Sequence, residues 1–448
     1  MLTLFNSLTR KADPFKPNDG MQVKMYTCGP STYQRPHIGN YRTFLFEDIF
    51  QRYLEYSGYN VTRLITLTNI EDKAIGYAVT AGVSVEELTN RNEAIFFKEF
   101  EKLHIKRPDF TIRASTIVDQ ATKLVEALME KGVAYKYTYE GAENVYYDLQ
   151  KFSGFGKLAH LNMKKWPKKK RRFHLDTYPG MPWNRGDFVL WHGCKEGDKV
   201  CWDSNVGRGR PAWNIQDAAM VTKHLGFSID VACGGIDNLV RHHDYTIAVA
   251  EAVSDKPLAN YWLHGGHLYV DGKKMSKSKG NVLYIDDLTA KGYQNEHVRF
   301  FLIYGNYRKK RNFTWQTLSE ASRKLDEFKS MVQNLQNAKS EKSNPKAKVL
   351  AQGIPQSFGE HMNNDLSVKD AFDSIYSAVA QLNEFMKKGE LGEEDAKAAL
   401  DDLREVDRVL QVIFLNGPYA SRPTSLTRSR FSGPCGAMSI SAVRSFPA

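Results

Sequence analysis

Two hydrophobic periods alternate along this chain. Gln22 to Cys28 reads as a short strand, which Gly29-Pro30 ends. His37-Ile38-Gly39-Asn40 then opens a helical pattern, with apolar Phe44, Phe46, Ile49, Phe50, Tyr53 and Leu54 at spacings of three and four. Asn60 to Thr68 reads as a second strand. Strand, loop, helix and strand in this order predict an α/β fold with a parallel sheet. Residues 71–131 read as largely helical. Residues 133–213 read as an inserted region with short strands at Val145-Tyr146-Tyr147 and Asp187-Phe188-Val189-Leu190-Trp191. Alternation of α and β returns over 214–290. From about Thr314 to about Leu415 the pattern is helical, broken near 339–355. The last stretch, 416–448, is rich in Ser, Arg, Pro and Gly and has no usable period, so it is expected to be an irregular tail.

Composition narrows this picture. A chain of 448 residues holds roughly two to three domains. No apolar run reaches the ~18 residues of a membrane span. Met1 to Asn6 is too short an apolar start for a signal peptide. Cys28, Cys194, Cys201, Cys233 and Cys435 are irregularly spaced with no C-x-x-C pair, so no disulfide framework and a reducing, cytoplasmic setting are expected. The formal net charge of +11 favours a polyanionic partner. The densest basic run is Lys164-Lys165-Trp166-Pro167-Lys168-Lys169-Lys170-Arg171-Arg172, and Arg308-Lys309-Lys310-Arg311 is a second.

Lys274-Met275-Ser276-Lys277-Ser278 lies between Gly272 and Gly280, as in a mobile loop. Two lysines there can clamp the outer phosphates of a nucleotide and release them with pyrophosphate. His37 and Asn40, at a helix start behind a tight turn, add donors to free N–H groups and a favourable dipole. Gly39 allows close approach to the backbone. Gly234-Gly235-Ile236-Asp237 follows the strand Ser228-Ile229-Asp230-Val231, where a carboxylate can accept ribose hydroxyls. Together these residues suit transfer of AMP to a carboxylate, whose transition state accumulates charge at phosphorus.

The lysine loop and His37–Asn40 resemble the two signatures of class I aminoacyl-tRNA synthetases. A closer resemblance, to the cysteinyl-tRNA synthetase family, is carried by Met25-Tyr26-Thr27-Cys28-Gly29-Pro30-Ser31-Thr32-Tyr33 and by Leu67-Thr68-Asn69-Ile70-Glu71-Asp72-Lys73. Asp187-Phe188-Val189-Leu190-Trp191, Gly209-Arg210-Pro211-Ala212-Trp213-Asn214-Ile215 and His264-Gly265-Gly266-His267-Leu268 also match. So do Asn312-Phe313-Thr314-Trp315 and Asn364-Asp365-Leu366-Ser367. The resemblance covers about residues 1–415. It implies a Rossmann-type catalytic domain over 1–313, interrupted at about 133–213 by a region near the tRNA acceptor end, then a helical bundle over 314–415. It implies aminoacyl-adenylate formation with ATP and Mg2+ and transfer to tRNA. Catalysis falls to His37, Asn40, Lys274 and Lys277. ATP binding falls to Gly39, Gly234, Gly235, Asp237, Met275, Ser276 and Ser278. The phosphates of tRNA fall to Lys168, Lys169, Lys170, Arg171 and Arg172. A monomer is expected.

The resemblance also implies an amino-acid pocket of Cys28, Gly29, Thr68, Trp213, Asp217, His242 and Thr246, and here the chain departs from the family. The family holds a zinc ion that binds the substrate thiolate. Cys28 and His242 match two of its ligands. Asp217 stands where a second Cys is expected and Thr246 where a Glu is expected, and Ala232 replaces a pocket histidine. Cys28, Asp217 and His242 remain as a reduced zinc set, with His243 or Asp244 as geometric substitutes, or as inherited scaffold without metal. Asp217 and Thr246 would suit an amino acid more polar than cysteine. The anticodon-reading module that ends the family's chains is not recognisable in 416–448. A paralogous ligase, using another amino acid or a small amine, peptide or carrier as acceptor, is the competing expectation.

Overall fold

The computed structural model describes residues 1–139, 141–163, 187–275 and 280–414, the side chain of Arg241 apart. The basic run from Lys164 to Arg172, Ser276, Lys277 and Ser278, and the tail therefore lie outside the described residues.

Five parallel strands form the central sheet: β1 (Gln22–Thr27), β2 (Asn60–Leu67), β3 (Phe110–Arg113), β4 (Ile229–Gly235) and β5 (Ala259–Gly265). Their spatial order is β5-β4-β1-β2-β3. The strands at the centre are apolar on both faces, as a parallel sheet covered on two sides requires. Neighbours in register share a face. Tyr26, Leu64, Ala232 and Trp262 point to one side; Met25, Ile65, Val231 and Leu263 point to the other. The strand order reverses between β1 and β4, and ligands of such sheets bind beyond the carboxyl ends of the strands at that point.

One face is covered by α1 (Ile38–Tyr56), whose Phe44, Leu45, Ile49 and Tyr53 are buried. The hydrophobic core on this face runs without a break into the helical bundle of Trp315–Leu335, Pro345–Gln352, Ile354–Met362, Val368–Lys387 and Glu393–Leu410. Two buried polar hubs fix that junction. Arg299 donates to Asp48 at 2.6 Å, to Leu103 O and to Leu410 O. Asp365 accepts from Phe5 N, Tyr307 and Arg308. Arg308 is thus held by a carboxylate and Arg311 is half-buried with its guanidinium over Phe301, whereas Lys309 and Lys310 of this second basic cluster are exposed.

The other face carries α2 (Asp72–Ala81) at its edge and α3 (Trp213–His224) and α4 (Asp244–Ser254) across it. A four-stranded antiparallel sheet, Ala134–Tyr139, Ala142–Tyr147, Phe188–Gly193 and Gly209–Pro211, shares this second core.

Residues 71–131 are largely helical, as expected, with the short edge strand β3, exposed at three of its four positions, set between the helices. One expectation changes. Cys194 and Cys201 form a disulfide with Cα atoms 6.3 Å apart. The turn after Phe188–Gly193 folds back, with Cys194 N bonded to Arg208 O at 3.1 Å, and brings together two cysteines that sequence spacing left apart.

Candidate active site at the sheet switch point

The segments that follow β1, β2 and β4 meet at the carboxyl edge of the sheet. After β1 and β2 the chain is zipped together by Thr68 N to Pro30 O (3.2 Å) and Thr32 N to Thr68 O (2.9 Å). Gly29 is required here, because a Cβ would lie 1.7 Å from Thr66 O.

The residues expected to bind phosphate lie at turns. His37 caps α1 in an extended conformation, and Asn40 Oδ1 accepts from His37 N at 3.0 Å. Asn40 is exposed, and Gly39 lies so close to the His37 ring that a Cβ would touch it at 3.0 Å. Gly234 and Gly235 end β4, and Asp237 follows, exposed. Lys274 closes a short antiparallel pairing with Tyr269, while Met275 is buried beneath it. Leu268–Val270 in turn pairs in parallel with Arg311–Phe313, so the root of the lysine loop rests on the strand that leads into the bundle.

The residues expected in the amino-acid pocket gather buried Cys28 and Asp217 with half-buried His242 and Trp213. Cys28, Asp217 and His242 bring a sulfur, a carboxylate oxygen and a ring nitrogen within 4.8 Å of one another. Cys28 Sγ donates to Asp217 Oδ2 at 3.8 Å, and His242 Nε2 makes an ion pair with the same oxygen. The Tyr26 hydroxyl donates to it as well, at 2.6 Å. The indole of Trp213, at the start of α3, stacks on His242 with centroids 5.7 Å apart and planes 17° apart. Burial pushes the Cys28 thiol up, opposed by the His242 imidazolium. Burial would also raise Asp217, but His242 and the hydrogen bonds from His242, Tyr26 and Thr66 hold it below the usual carboxylate range. Burial would lower His242, but Cys28 and Asp217 hold it well above the usual imidazole range.

One expected pocket residue, Thr246, and the two possible substitutes, His243 and Asp244, are engaged elsewhere. Thr246 is buried on α4 and its hydroxyl donates to His242 O at 3.0 Å, so it serves the helix backbone and offers no hydroxyl to the cluster. His243 turns away to His264, 2.9 Å between ring nitrogens, and His264 reaches Ser7 at 2.8 Å. Asp244 accepts from Leu158 N and Ala159 N. Neither substitutes as a ligand, because helical geometry sends consecutive side chains in different directions.

Sequence reasoning missed Tyr26, Thr66 and Glu71. Tyr26 sits inside a strand and reads as ordinary core; its hydroxyl becomes relevant only once α3 places Asp217 over it. Glu71 precedes α2 and reads as a helix cap, yet its side chain makes no cap hydrogen bond.

Residues 14–323 match the family described as the tRNA synthetases class I (C) catalytic domain. The chain is 36% identical over 416 residues to the cysteine–tRNA ligase of Chlamydia pneumoniae, covering 92% of this chain and 86% of that protein. It is 35% identical over 387 residues to the cysteine–tRNA ligase of Brachyspira hyodysenteriae, covering 85% and 80%. Among solved structures, the ternary LeuRS–tRNA–LeuAMS complex of Agrobacterium radiobacter K84 superposes with a TM-score of 0.65 at 12% identity, covering 89% of this chain and 85% of that one. The methionyl-tRNA synthetase of Mycobacterium tuberculosis with methionyl-adenylate gives 0.60 at 15% identity, covering 88% and 90%. At those identities the two structures speak for the Rossmann-like fold alone. On the sequence matches, this chain belongs to the class I (C) tRNA synthetase family and is an ATP-consuming ligase that forms an aminoacyl adenylate and charges tRNA.

Proposed function

We propose that the amino acid activated is cysteine, held by its sulfur at a zinc site formed by Cys28, Asp217 and His242. The observation that carries this reading is the convergence of those three donors beyond the switch point. The donor set suits the metal: zinc accepts thiolate, imidazole and carboxylate together. Asp217 Oδ1 is buried without a hydrogen-bond partner, so a second carboxylate oxygen stands ready beside the first. With Thr246 engaged in its helix, three protein ligands leave a fourth position, the arrangement of a zinc site that takes a substrate. When bound there, zinc supplies a Lewis acid that favours a thiolate over the hydroxyl of serine.

The chain's own residues do the remaining work. The α3 indole of Trp213 stacks on His242 and fixes the plane of its ring. Thr68 and Gly29 shape the wall between β1 and β2. The substrate carboxylate attacks the α-phosphorus of ATP, the bond to the β-phosphate oxygen breaks, and pyrophosphate leaves. His37, Asn40, Lys274 and Lys277 supply donors where that negative charge grows, with Mg2+ on the outer phosphates. Gly39, Gly234, Gly235, Asp237, Met275, Ser276 and Ser278 hold the nucleotide. A terminal ribose hydroxyl of tRNA then attacks the carbonyl carbon and AMP leaves. Lys168, Lys169, Lys170, Arg171 and Arg172 hold the acceptor end through its phosphates.

ATP–pyrophosphate exchange over all twenty amino acids, with one equivalent of zinc and with the metal removed, tests the assignment. Exchange driven by cysteine far above the rest, and lost on chelation, is expected. Comparable exchange with serine or another polar amino acid, unaffected by chelation, overturns it.

A further inference from the structure

We infer that Glu71 is the anchor for the α-ammonium group of the bound amino acid. The inference deepens the proposed function and rests on the same pocket.

Glu71 follows β2 at the carboxyl edge of the sheet, three residues beyond Thr68. Its Oε1 is buried and has no hydrogen-bond partner. Among the described residues no ion pair engages it. The neighbouring Lys73 is turned over the ring of Tyr33, 5.7 Å from its centroid, and acts on Glu71 through its charge without bonding to it. The adjacent Asp72 is already taken by Arg210 at 2.5 Å. Glu71 is the residue before α2, yet helix capping does not occupy its side chain. A carboxylate oxygen withdrawn from water with no donor bonded to it is costly in a folded chain, and such groups are retained where something supplies the missing partner.

Its surroundings say what that cation is. Ser31, from the segment after β1, bridges to Thr68 and stands with Glu71. On the far side, His242 is within electrostatic reach of Glu71. The pocket therefore has two poles. Cys28, Asp217 and His242 form the pole that takes a side chain. Glu71, after β2 on the same sheet edge and within electrostatic reach of His242, forms the other. A primary ammonium on the carbon next to the reacting carboxylate fits between them. A carboxylate there gives a charge-assisted hydrogen bond, the stronger class of polar contact. It also selects an α-amino acid over a plain thiol acid, since the thiol acid leaves the buried oxygen unpaired.

Because the ammonium is not a reacting group, Glu71 is a positioning and specificity residue. Its loss appears in KM for the amino acid more than in kcat. The test uses the full-length enzyme and whichever amino acid the wild type activates, so a wrong assignment of cysteine shows in the wild type and leaves this comparison intact. With cysteine, the paired probe is 3-mercaptopropionic acid, which keeps thiol and carboxylate and lacks the ammonium. In Glu71→Gln, KM for the amino acid in pyrophosphate exchange is expected to rise roughly 10- to 100-fold with kcat little changed. The inhibition constant of the desamino acid is expected to stay the same. Glu71→Asp, which keeps the charge on a shorter arm, is expected to recover most of the loss and guards against a merely misfolded variant. An unchanged KM in Glu71→Gln overturns the inference. Equal weakening of amino acid and desamino acid also overturns it, because the residue would then be shaping the pocket without reading the charge.

Discussion

The two ends of this active site sit on one sheet edge and are made in opposite ways. The phosphate end consists of helix start, glycine turns and an exposed lysine hairpin, all contiguous stretches of chain. The amino-acid end draws Tyr26, Cys28, Thr68, Glu71, Asp217 and His242 from four separate segments and buries most of them in one hydrogen-bonded group. A phosphate is recognised by backbone N–H groups and mobile cations, which a short motif supplies whole. A side chain is recognised by shape, metal and desolvated charge, which only the folded sheet assembles. The first kind of site tolerates change around it; in the second, each residue is the partner of another.

That contrast predicts different failures. The largest effect is expected at the phosphate end. Lys277→Ala should slow adenylate formation roughly 10²–10³-fold, the scale of losing one donor to a developing charge. Amino-acid affinity, read by equilibrium binding, should stay put. A matched loss of amino-acid binding would break the division of labour between the ends. Next comes Asp217→Ala, which removes one of three ligands and leaves a half-buried imidazole without its carboxylate. Zinc content measured by mass spectrometry should fall, and KM for the amino acid should rise by more than about 10-fold, whereas KM for ATP should not move. Retained zinc with an unchanged KM would mean that the cluster is scaffold.

These differences also explain what was legible in the sequence. β1, α1 and β2 were readable because their periods are clean and Gly29-Pro30 separates them. The phosphate residues were readable because each motif is local. β3 was not, since a short edge strand after two helices carries too few apolar positions to show its period. At the amino-acid end, Cys28, Asp217 and His242 were placed by resemblance, and their contact follows from strand order, which no local pattern encodes. Tyr26 and Glu71 were invisible for a further reason: a strand tyrosine and a helix-start glutamate have ordinary local explanations, and only the three-dimensional environment rules those out. The Cys194–Cys201 link was hidden by the same limit, being made by a turn between strands whose pairing the spacing does not reveal.

Smaller perturbations resolve the amino-acid end further. Tyr26→Phe deletes one hydroxyl at 2.6 Å from Asp217 and leaves the ring packed against His243. A hydrogen bond to a ligand carboxylate orients it, so zinc affinity by chelator competition should drop about 10-fold, with less effect on cysteine KM. No change would place the tyrosine outside the working site.

The smallest effect is expected at Thr246, and it bears directly on the comparison. Resemblance puts this position in the ligand set, but the structure gives its hydroxyl to His242 O at 3.0 Å, in the π-helical turn that leads into α4. Thr246→Val keeps the branched shape and removes only that bond, which is worth about 1 kcal/mol or less in stability. Zinc content and amino-acid KM should therefore match wild type within about two-fold, with a slightly lower midpoint in thermal unfolding. Thr246→Glu, by contrast, places a carboxylate on a packed helix, four residues after His242. Either it reaches the cluster and tightens zinc, or it destabilises the fold without touching metal affinity. If Thr246→Val alone strips the zinc, then the hydroxyl reaches the metal after all, the site has four protein ligands, and the open position assigned to the substrate thiolate is lost.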